Sequence, residues 1–242
     1  MAYIRSRFLL YPVFSKKICL CLLLGLLVFL PIFNMKALGS EPSPKQDVIE
    51  FDHIFVNKVT KEIKIQVKLA IREGILEYLL VSDQGKTYES VFKLAKDLPS
   101  KLNFAMLLLG FKPLNFDKLI KLTQKETGRS ELLKDHETSL VKLEARQNGK
   151  KIEWHSLMKN RENVNLQPVW VYTGGLFTQD KQYAGDLELS HIGIWPDPTA
   201  VINLFSGFGN PYQGVFGFQM NKDNPMLKVD QDFEIIIRRY SE

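Results

Sequence analysis

Cysteine is almost absent from the sequence, and its distribution excludes several kinds of site. The chain of 242 residues has two cysteines, Cys19 and Cys21, and none follows residue 39. Residues 40–242 therefore cannot form a disulfide, hold an iron–sulfur cluster through thiolates or use a thiolate nucleophile. A body without cysteine suits an oxidising compartment, because it cannot form wrong disulfides there.

Acidic residues are missing from the first 39 positions, which changes the meaning of the net charge. The formal charge is +5, but five basic residues lie in residues 1–39, and the remaining 27 Lys and Arg balance 27 Asp and Glu. The body of the protein is therefore formally neutral. It lacks the basic excess that nucleic-acid binding requires, so we expect no nucleic-acid partner.

Residues 1–39 have the pattern of a secretory signal peptide. A basic segment ending at Lys17 precedes 16 uncharged, mostly apolar residues, 18–33, and the small residues Ala37 and Gly39 fit a cleavage site. Because a membrane-spanning helix needs about 20 apolar residues, cleavage and a mature start near Ser40 are the first prediction. The protein would then be periplasmic or secreted. The alternative is an uncleaved leader that anchors the chain in the inner membrane.

Apolar patterning in the rest of the chain predicts strands more often than helices. Strict alternation in residues 62–71 is typical of a half-buried strand. An apolar run at 75–81, followed after a turn by a returning third strand at 86–92, suggests an antiparallel meander. Asn148-Gly149 favours a tight hairpin that would pair Ala145 with Ile152 and Leu143 with Trp154. Further strands are predicted at 168–173, 187–195 and 232–238.

One buried helix is predicted at residues 100–109, where apolar residues recur at helical spacing and Gly110 and Pro113 follow. A second helix is predicted at 116–125. We expect a polar linker at 40–49 and a single domain over 50–242. Its fold class would be α+β, with a largely antiparallel sheet.

Several segments together resemble the YdjY-like family of bacterial exported proteins. They are residues 73–81 (EGILEYLLV), 85–90 (GKTYES), 107–113 (LLLGFKP), 170–175 (WVYTGG), 183–186 (YAGD) and 197–198 (DP). The chain departs from the family pattern at Tyr88 and Asn103, where family members often have histidine. The resemblance implies an exported domain of unassigned function, and it supplies no catalytic residues.

The GKTYES segment is the first candidate site. If residues 86–92 are a strand, Lys86, Tyr88 and Ser90 share one face and Glu89 lies on the other. Glu89 would then be a buried carboxylate that acts as a base or a ligand, with Lys86 and Tyr88 beside it. Alternatively, Glu89 accepts backbone hydrogen bonds in a purely structural role and Tyr88 packs against the fold.

Three further groups are candidates. Among His53, His136, His155 and His191 no pair has ligand spacing, so no metal site is predicted, but His191 would share a strand face with Leu187 and Leu189. Asp186, near Tyr172 and Tyr183, is either a ligand-facing carboxylate at the start of a strand or a turn residue. Phe208 and Tyr212 lie in a glycine-rich aromatic segment that could stack on a sugar ring, or could fill the core instead.

These observations leave two main hypotheses and no expected cofactor. The first is a binding or accessory module for a small ligand, a glycan or an envelope partner, supported by the neutral charge, the aromatic loops and the lack of a nucleophile motif. The second is a hydrolase or metal-dependent enzyme, which requires Glu89, Asp186 and His191 to converge. The sequence does not decide whether the protein is an enzyme. A purely structural role is a third possibility.

Overall fold

Strands make up most of the regular structure. The computed structural model describes residues 47–162, 168–206, 212–213 and 217–240. In chain order the strands are β1 (Val48–Phe51), β2 (Ile54–Asn57), β3 (Glu62–Leu69), β4 (Ile75–Leu76), β5 (Tyr78–Ser82), β6 (Ser90–Leu94), β7 (Leu140–Gln147), β8 (Lys150–Ile152), β9 (Met158–Asn160), β10 (Trp170–Tyr172), β11 (Ser190–Gly193), β12 (Ile202–Leu204), β13 (Phe218–Met220) and β14 (Asp232–Arg239). The predicted leader, residues 1–39, lies outside the described residues.

Helices are short and lie between the strands. They are α1 (Pro99–Leu108), α2 (Phe116–Thr123), α3 (Gly128–Asp135), α4 (Trp154–Leu157) and α5 (Ala184–Glu188), with 3-10 helices at Thr87–Glu89 and Glu137–Ser139. None of the helices in the described part of the chain is long and apolar enough to cross a membrane.

Eight strands close into a barrel in the order β3-β14-β7-β10-β12-β11-β5-β6, and β6 pairs with β3 again. Three more strands, β1, β2 and β8, extend the same sheet, while β4, β13 and β9 form a small second sheet. Strand accounts for 36% and helix for 23% of the structure. The prediction of an α+β fold is therefore wrong, and the protein is mostly β. Local apolar patterns showed the strands but could not reveal a closure between distant segments.

The core fills the barrel because the strands alternate. In β3, Ile63, Ile65 and Val67 are buried, while Lys64 and Gln66 between them face outward, as the sequence predicts. A smaller core lies outside the barrel wall, where α2 and α3 cover Leu140 and Val171.

The hairpin at Asn148-Gly149 is confirmed in part. Ala145 pairs with Ile152, but β8 ends there and Trp154 begins α4, so Trp154 does not face Leu143.

Two segments that were predicted as continuous strands contain helical turns. Residues 87–89 form a 3-10 helix before β6, and β6 pairs with β5 in parallel, so no antiparallel meander forms there. Residues 184–188 form α5, which ends at Leu189 in a left-handed conformation with φ of 59°. Leu187 therefore does not share a strand face with His191.

Helix α1 is confirmed in position, but the prediction that it is buried is wrong. Leu102, Ala105 and Met106 pack into the barrel core. The opposite side of the helix is exposed and is also apolar.

The closure of the barrel generates the first prediction. Phe92 of β6 is fully buried, and its ring centroid lies 5.3 Å from that of Phe233 on β14. We expect Phe92→Ala to lower the free energy of unfolding in urea by about 3–5 kcal/mol, because it leaves a cavity where the barrel closes. Phe55→Ala on the half-exposed face of β2 is the control and should cost much less. Similar losses in the two variants would contradict this role.

Candidate functional site

The parallel pairing of β5 and β6 brings two glutamates together. Tyr78 of β5 pairs with Ser90 of β6, so the residues just before the two strands, Glu77 and Glu89, become neighbours. The backbone N–H of Glu77 donates to the carbonyl of Glu89 at 2.9 Å. A parallel pair needs a crossover between its strands, and this crossover, residues 83–89, ends in the 3-10 helix that carries Glu89.

The Glu89 carboxylate is buried, and a tyrosine hydroxyl binds it. Its residue is 7% exposed, and the Tyr212 hydroxyl donates to Oε2 at 2.7 Å. Burial raises the pKa of the Glu77 carboxyl, and the charge of Glu89 raises it further. Burial and the bond to Glu89 likewise raise the pKa of Tyr212, which therefore remains a hydrogen-bond donor at neutral pH.

A lysine and a third acidic residue complete the cluster. Lys86 Nζ donates to the Tyr78 hydroxyl at 3.3 Å and lies 5.4 Å from the centroid of its ring. The Tyr78 hydroxyl in turn donates to Asp197 Oδ2 at 3.0 Å. Burial, followed by the charge of Asp197, raises the pKa of Tyr78. The other Asp197 oxygen accepts from the backbone and hydroxyl of Thr199, which fixes this carboxylate in place.

Two tyrosine rings are exposed at the same place. Tyr88 is 69% exposed and Tyr212 is 55% exposed, and Tyr88 is near enough to contribute to the raised pKa of Tyr212. The expectation that Tyr88 packs against the fold is wrong. So is the strand alternation proposed for this segment, because residues 87–89 are helical. We call this cluster the Glu89 site; it consists of Glu77, Tyr78, Lys86, Tyr88, Glu89, Asp197 and Tyr212.

Asp186 has a structural partner. Its Oδ1 accepts the backbone N–H of Ser100 at 2.8 Å, in the first turn of α1. The residue at the N-cap of α1, Leu98, makes no side-chain capping bond, so Asp186 supplies an acceptor to that helix terminus from outside the helix.

Tyr172 and Tyr183 lie near Asp186 and not in the Glu89 site. The Tyr172 hydroxyl donates to Asn103 Oδ1 at 2.6 Å, and burial raises the pKa of Tyr172 to about 12. The Tyr183 hydroxyl donates to the carbonyl of Gly174 at 2.8 Å. A Cβ at Gly185 would lie 2.8 Å from the carbonyl oxygen of Thr199, so this group is too tightly packed to accept a side chain there.

His191 is fully buried inside the fold. Its Nε2 lies 3.1 Å from Ser82 Oγ and 3.2 Å from the carbonyl oxygen of Asp97, which also accepts the Ser82 hydroxyl at 2.7 Å. This arrangement assigns the proton to Nε2, and Nδ1 has no hydrogen-bond partner among the described residues. Burial lowers the pKa of His191 to about 3, so the ring is neutral.

The three residues of the hydrolase hypothesis thus have separate partners: Tyr212 for Glu89, Ser100 for Asp186, and Ser82 for His191. Of the predicted ligand-binding residues, Lys86, Tyr88 and Tyr212 meet at the Glu89 site. Phe208 lies outside the described residues. Within the described ranges, no group of three or more His, Cys, Asp or Glu side chains could hold a metal ion.

Sequence reasoning missed Glu77, Tyr78 and Asp197, although all three lie in segments that carry the family resemblance. It also missed a second polar cluster. His53 Nδ1 lies 2.7 Å from Oδ2 of Asp97, whose side chain is fully buried, and Lys101 binds the other carboxylate oxygen.

A groove of about 910 Å³ is lined by His53 and by residues at the C-terminal ends of β3 and β7 and the N-terminal end of β14, several of them charged. No residue of the Glu89 site lines it. The groove is spacious, but the buried carboxylate with the two exposed rings beside it is at the Glu89 site. We place the candidate site there, because volume alone does not select a ligand.

The capping role of Asp186 is testable. Asp186→Ala should lower the free energy of unfolding by about 1 kcal/mol, because the first turn of α1 loses an acceptor. Asp186→Asn keeps a side-chain oxygen and should lose less. Equal losses in the two variants, measured by urea unfolding, would contradict the capping role.

Buried, neutral His191 predicts acid sensitivity. Its pKa lies below the ordinary value of 6.5, so the unfolded chain binds this proton first, and stability falls as the pH drops below about 6.5. At pH 5 the resulting decrease in the free energy of unfolding is about 2 kcal/mol. His191→Gln keeps a donor without this titration and should reduce the fall in stability between pH 7 and pH 5. His155→Gln, at an exposed position, is the control and should retain it. An unchanged fall in His191→Gln would refute the assignment.

Because comparison with known proteins gives no match, a proposal of function has to rest on the geometry described above. No protein-family model, curated protein or solved structure matches the chain.

Proposed function

We propose that this protein is an exported binding module of the bacterial envelope that takes a polyhydroxylated ligand, an envelope glycan, at the Glu89 site. The leader pattern of residues 1–39 supports export. The resemblance to the YdjY-like family supports the bacterial envelope as its location. The binding role itself rests on the geometry of the site.

One observation carries the proposal: a buried carboxylate lies beside two exposed tyrosine rings. Glu89 can accept hydroxyl hydrogen bonds in a site of reduced water access, where such charge-assisted bonds are strong. Tyr88 and Tyr212 offer flat apolar surfaces on which the C–H face of a sugar ring can lie. Together these groups match the two sides of a sugar, which has polar edges and less polar faces.

The charges of the site favour a neutral or cationic ligand. Glu77, Glu89 and Asp197 are acidic, and Lys86 is the single cation in the cluster as defined above. Lys86 already donates to the Tyr78 hydroxyl, and its ammonium group lies over the ring of Tyr78. An anionic ligand would meet an excess of like charge, which is costly at an interface.

The bond between Tyr212 and Glu89 suggests how the ligand is accommodated. The Tyr212 hydroxyl occupies Oε2 at 2.7 Å and so satisfies the buried carboxylate without a ligand. A sugar hydroxyl can replace or join this donor with no loss of hydrogen bonding. Binding then adds ring contact without leaving the carboxylate unsatisfied.

The alternative function is a hydrolase that uses carboxylates, and one observation favours it. The Glu77 carboxyl has a raised pKa beside Glu89, and acid–base hydrolysis typically uses a carboxyl group of raised pKa next to a second carboxyl group. Asp186 and His191 do not support it, because their contacts are with α1 and the barrel core.

Binding to insoluble chitin, an uncharged polymer of N-acetylglucosamine, tests the proposal. In co-sedimentation, Tyr88→Ala and Glu89→Gln should each weaken binding about tenfold or more, because they remove a ring contact and a charge-assisted hydrogen bond. Phe177→Ala is the matched control, since Phe177 is also an exposed aromatic residue but lies outside the site. Thermal unfolding of each variant checks that the fold is intact.

The outcomes separate the two functions. Equal binding by Tyr88→Ala and the unaltered chain would exclude the Glu89 site as the glycan site. Release of new reducing ends from the chitin, lost in Glu77→Gln, would replace the binding module with the hydrolase. Binding without release is the result that we expect.

A further inference from the structure

The carboxylates of Glu77, Glu89 and Asp197 form no ion pair within the part of the chain that the structure describes. The groups that donate to Glu89 and Asp197 are neutral, namely hydroxyls and one backbone N–H. Lys86 is the cation at this place, but its Nζ donates to the Tyr78 hydroxyl. The negative charge of the Glu89 site is therefore not balanced by the fold, although one of its carboxylates is buried.

The pKa of Glu77 reflects this excess of negative charge. Burial raises the pKa, the charge of Glu89 raises it further and Asp197 adds to the effect, while Lys86 offsets only part of the rise. A second positive charge among these carboxylates would be attracted by all three and would lower the pKa of Glu77 again.

The exposed rings of the site are a separate feature that suits the same kind of ligand. Tyr88 is 69% exposed and Tyr212 is 55% exposed. The face of an aromatic ring attracts an ammonium group, and several rings together are a common way to recognise ammonium ligands. The fold already contains one such contact here, because Lys86 Nζ lies over the ring of Tyr78 at 5.4 Å from its centroid. Rings and carboxylates at this place are thus compatible with a bound ammonium group.

We propose that the ligand of the Glu89 site is a glycan with free amino groups, and that one ammonium group of this glycan binds between the carboxylates of Glu77 and Glu89 and the rings of Tyr88 and Tyr212. This inference rests on the proposed function and names the class of sugar. An ammonium group offers three N–H donors to the carboxylates. An N-acetyl group in its place would offer one donor, and its carbonyl oxygen would face the acidic side chains.

Titration calorimetry with two soluble tetramers tests the inference. One is the tetramer of glucosamine and the other is the tetramer of N-acetylglucosamine, so the two differ only in the acetylation of their amino groups. At about pH 6, we expect the protein to bind the glucosamine tetramer about tenfold more tightly or better, because it gains charge-assisted hydrogen bonds and ammonium–ring contacts. Tetralysine carries ammonium groups without a sugar ring and should bind about tenfold more weakly than the glucosamine tetramer.

Two variants connect this preference to the site. Tyr88→Ala and Glu89→Gln should each reduce the preference for the glucosamine tetramer to about threefold or less. Asp180→Asn is the matched control, because it removes one negative charge from an exposed position outside the site, and it should keep the full preference. Thermal unfolding checks each variant, and the exposed Tyr88 keeps the test decisive if Glu89→Gln alters the fold.

The outcomes distinguish this inference from the proposed function. Equal binding of the two tetramers, or tighter binding of the acetylated one, would overturn the inference and leave the proposed function standing. A preference that persists in both Tyr88→Ala and Glu89→Gln would overturn it as well, because the attraction would then not arise at this site. Binding of tetralysine as tight as that of the glucosamine tetramer would exclude a sugar as the recognised group. If neither tetramer binds, the inference and the proposed function both fail.

Discussion

The structure depends on one short pairing, in which β6 returns to β3. Lys68 pairs with Lys93 and Leu69 with Phe92, and these two register pairs turn an open sheet into a closed barrel. The pairing is possible only because β6 runs parallel to β5, which requires the crossover at residues 83–89. That crossover ends at Glu89. Barrel closure and the position of the candidate site are therefore two consequences of the same chain path.

Asp97 is a second point on which several elements depend. Its buried carboxylate binds His53, from the turn between β1 and β2, and Lys101, from the first turn of α1. Its carbonyl accepts from Ser82 and lies beside His191. One residue thus ties the β1–β2 turn, α1, β5 and β11 together. Because a buried polar group is costly unless it is bonded, we interpret His191 as part of this structural network and not as a catalytic base.

Sequence reasoning predicted the elements whose signal is local. Alternation located β3, and Asn148-Gly149 fixed the register of the hairpin. It failed where a residue far along the chain decides the conformation. The helical turn at 87–89 follows from parallel pairing, and the left-handed Leu189 interrupts a run that alternates well enough for a strand. Glu89 was predicted from its segment, but Glu77 and Asp197 become its neighbours only through the β5–β6 pairing and the β11–β12 connection, and no spacing in the sequence encodes either.

Several residues depart from the usual rule that polar side chains are exposed and apolar side chains are buried. Structural and functional positions can be distinguished by whether the fold itself explains the departure. Asp186 and Asp97 are polar groups close to the core, and capping and ion pairing account for both. The Glu89 site and the exposed apolar side of α1 have no such explanation within the fold. Glu77 keeps a carboxyl beside another carboxyl at the cost of a raised pKa, and α1 presents large apolar side chains to water. Neither arrangement stabilises the fold, because like charges repel and exposed apolar area gains nothing from folding. When a sequence contains features that do not stabilise the fold, we expect those features to serve an interaction with another molecule.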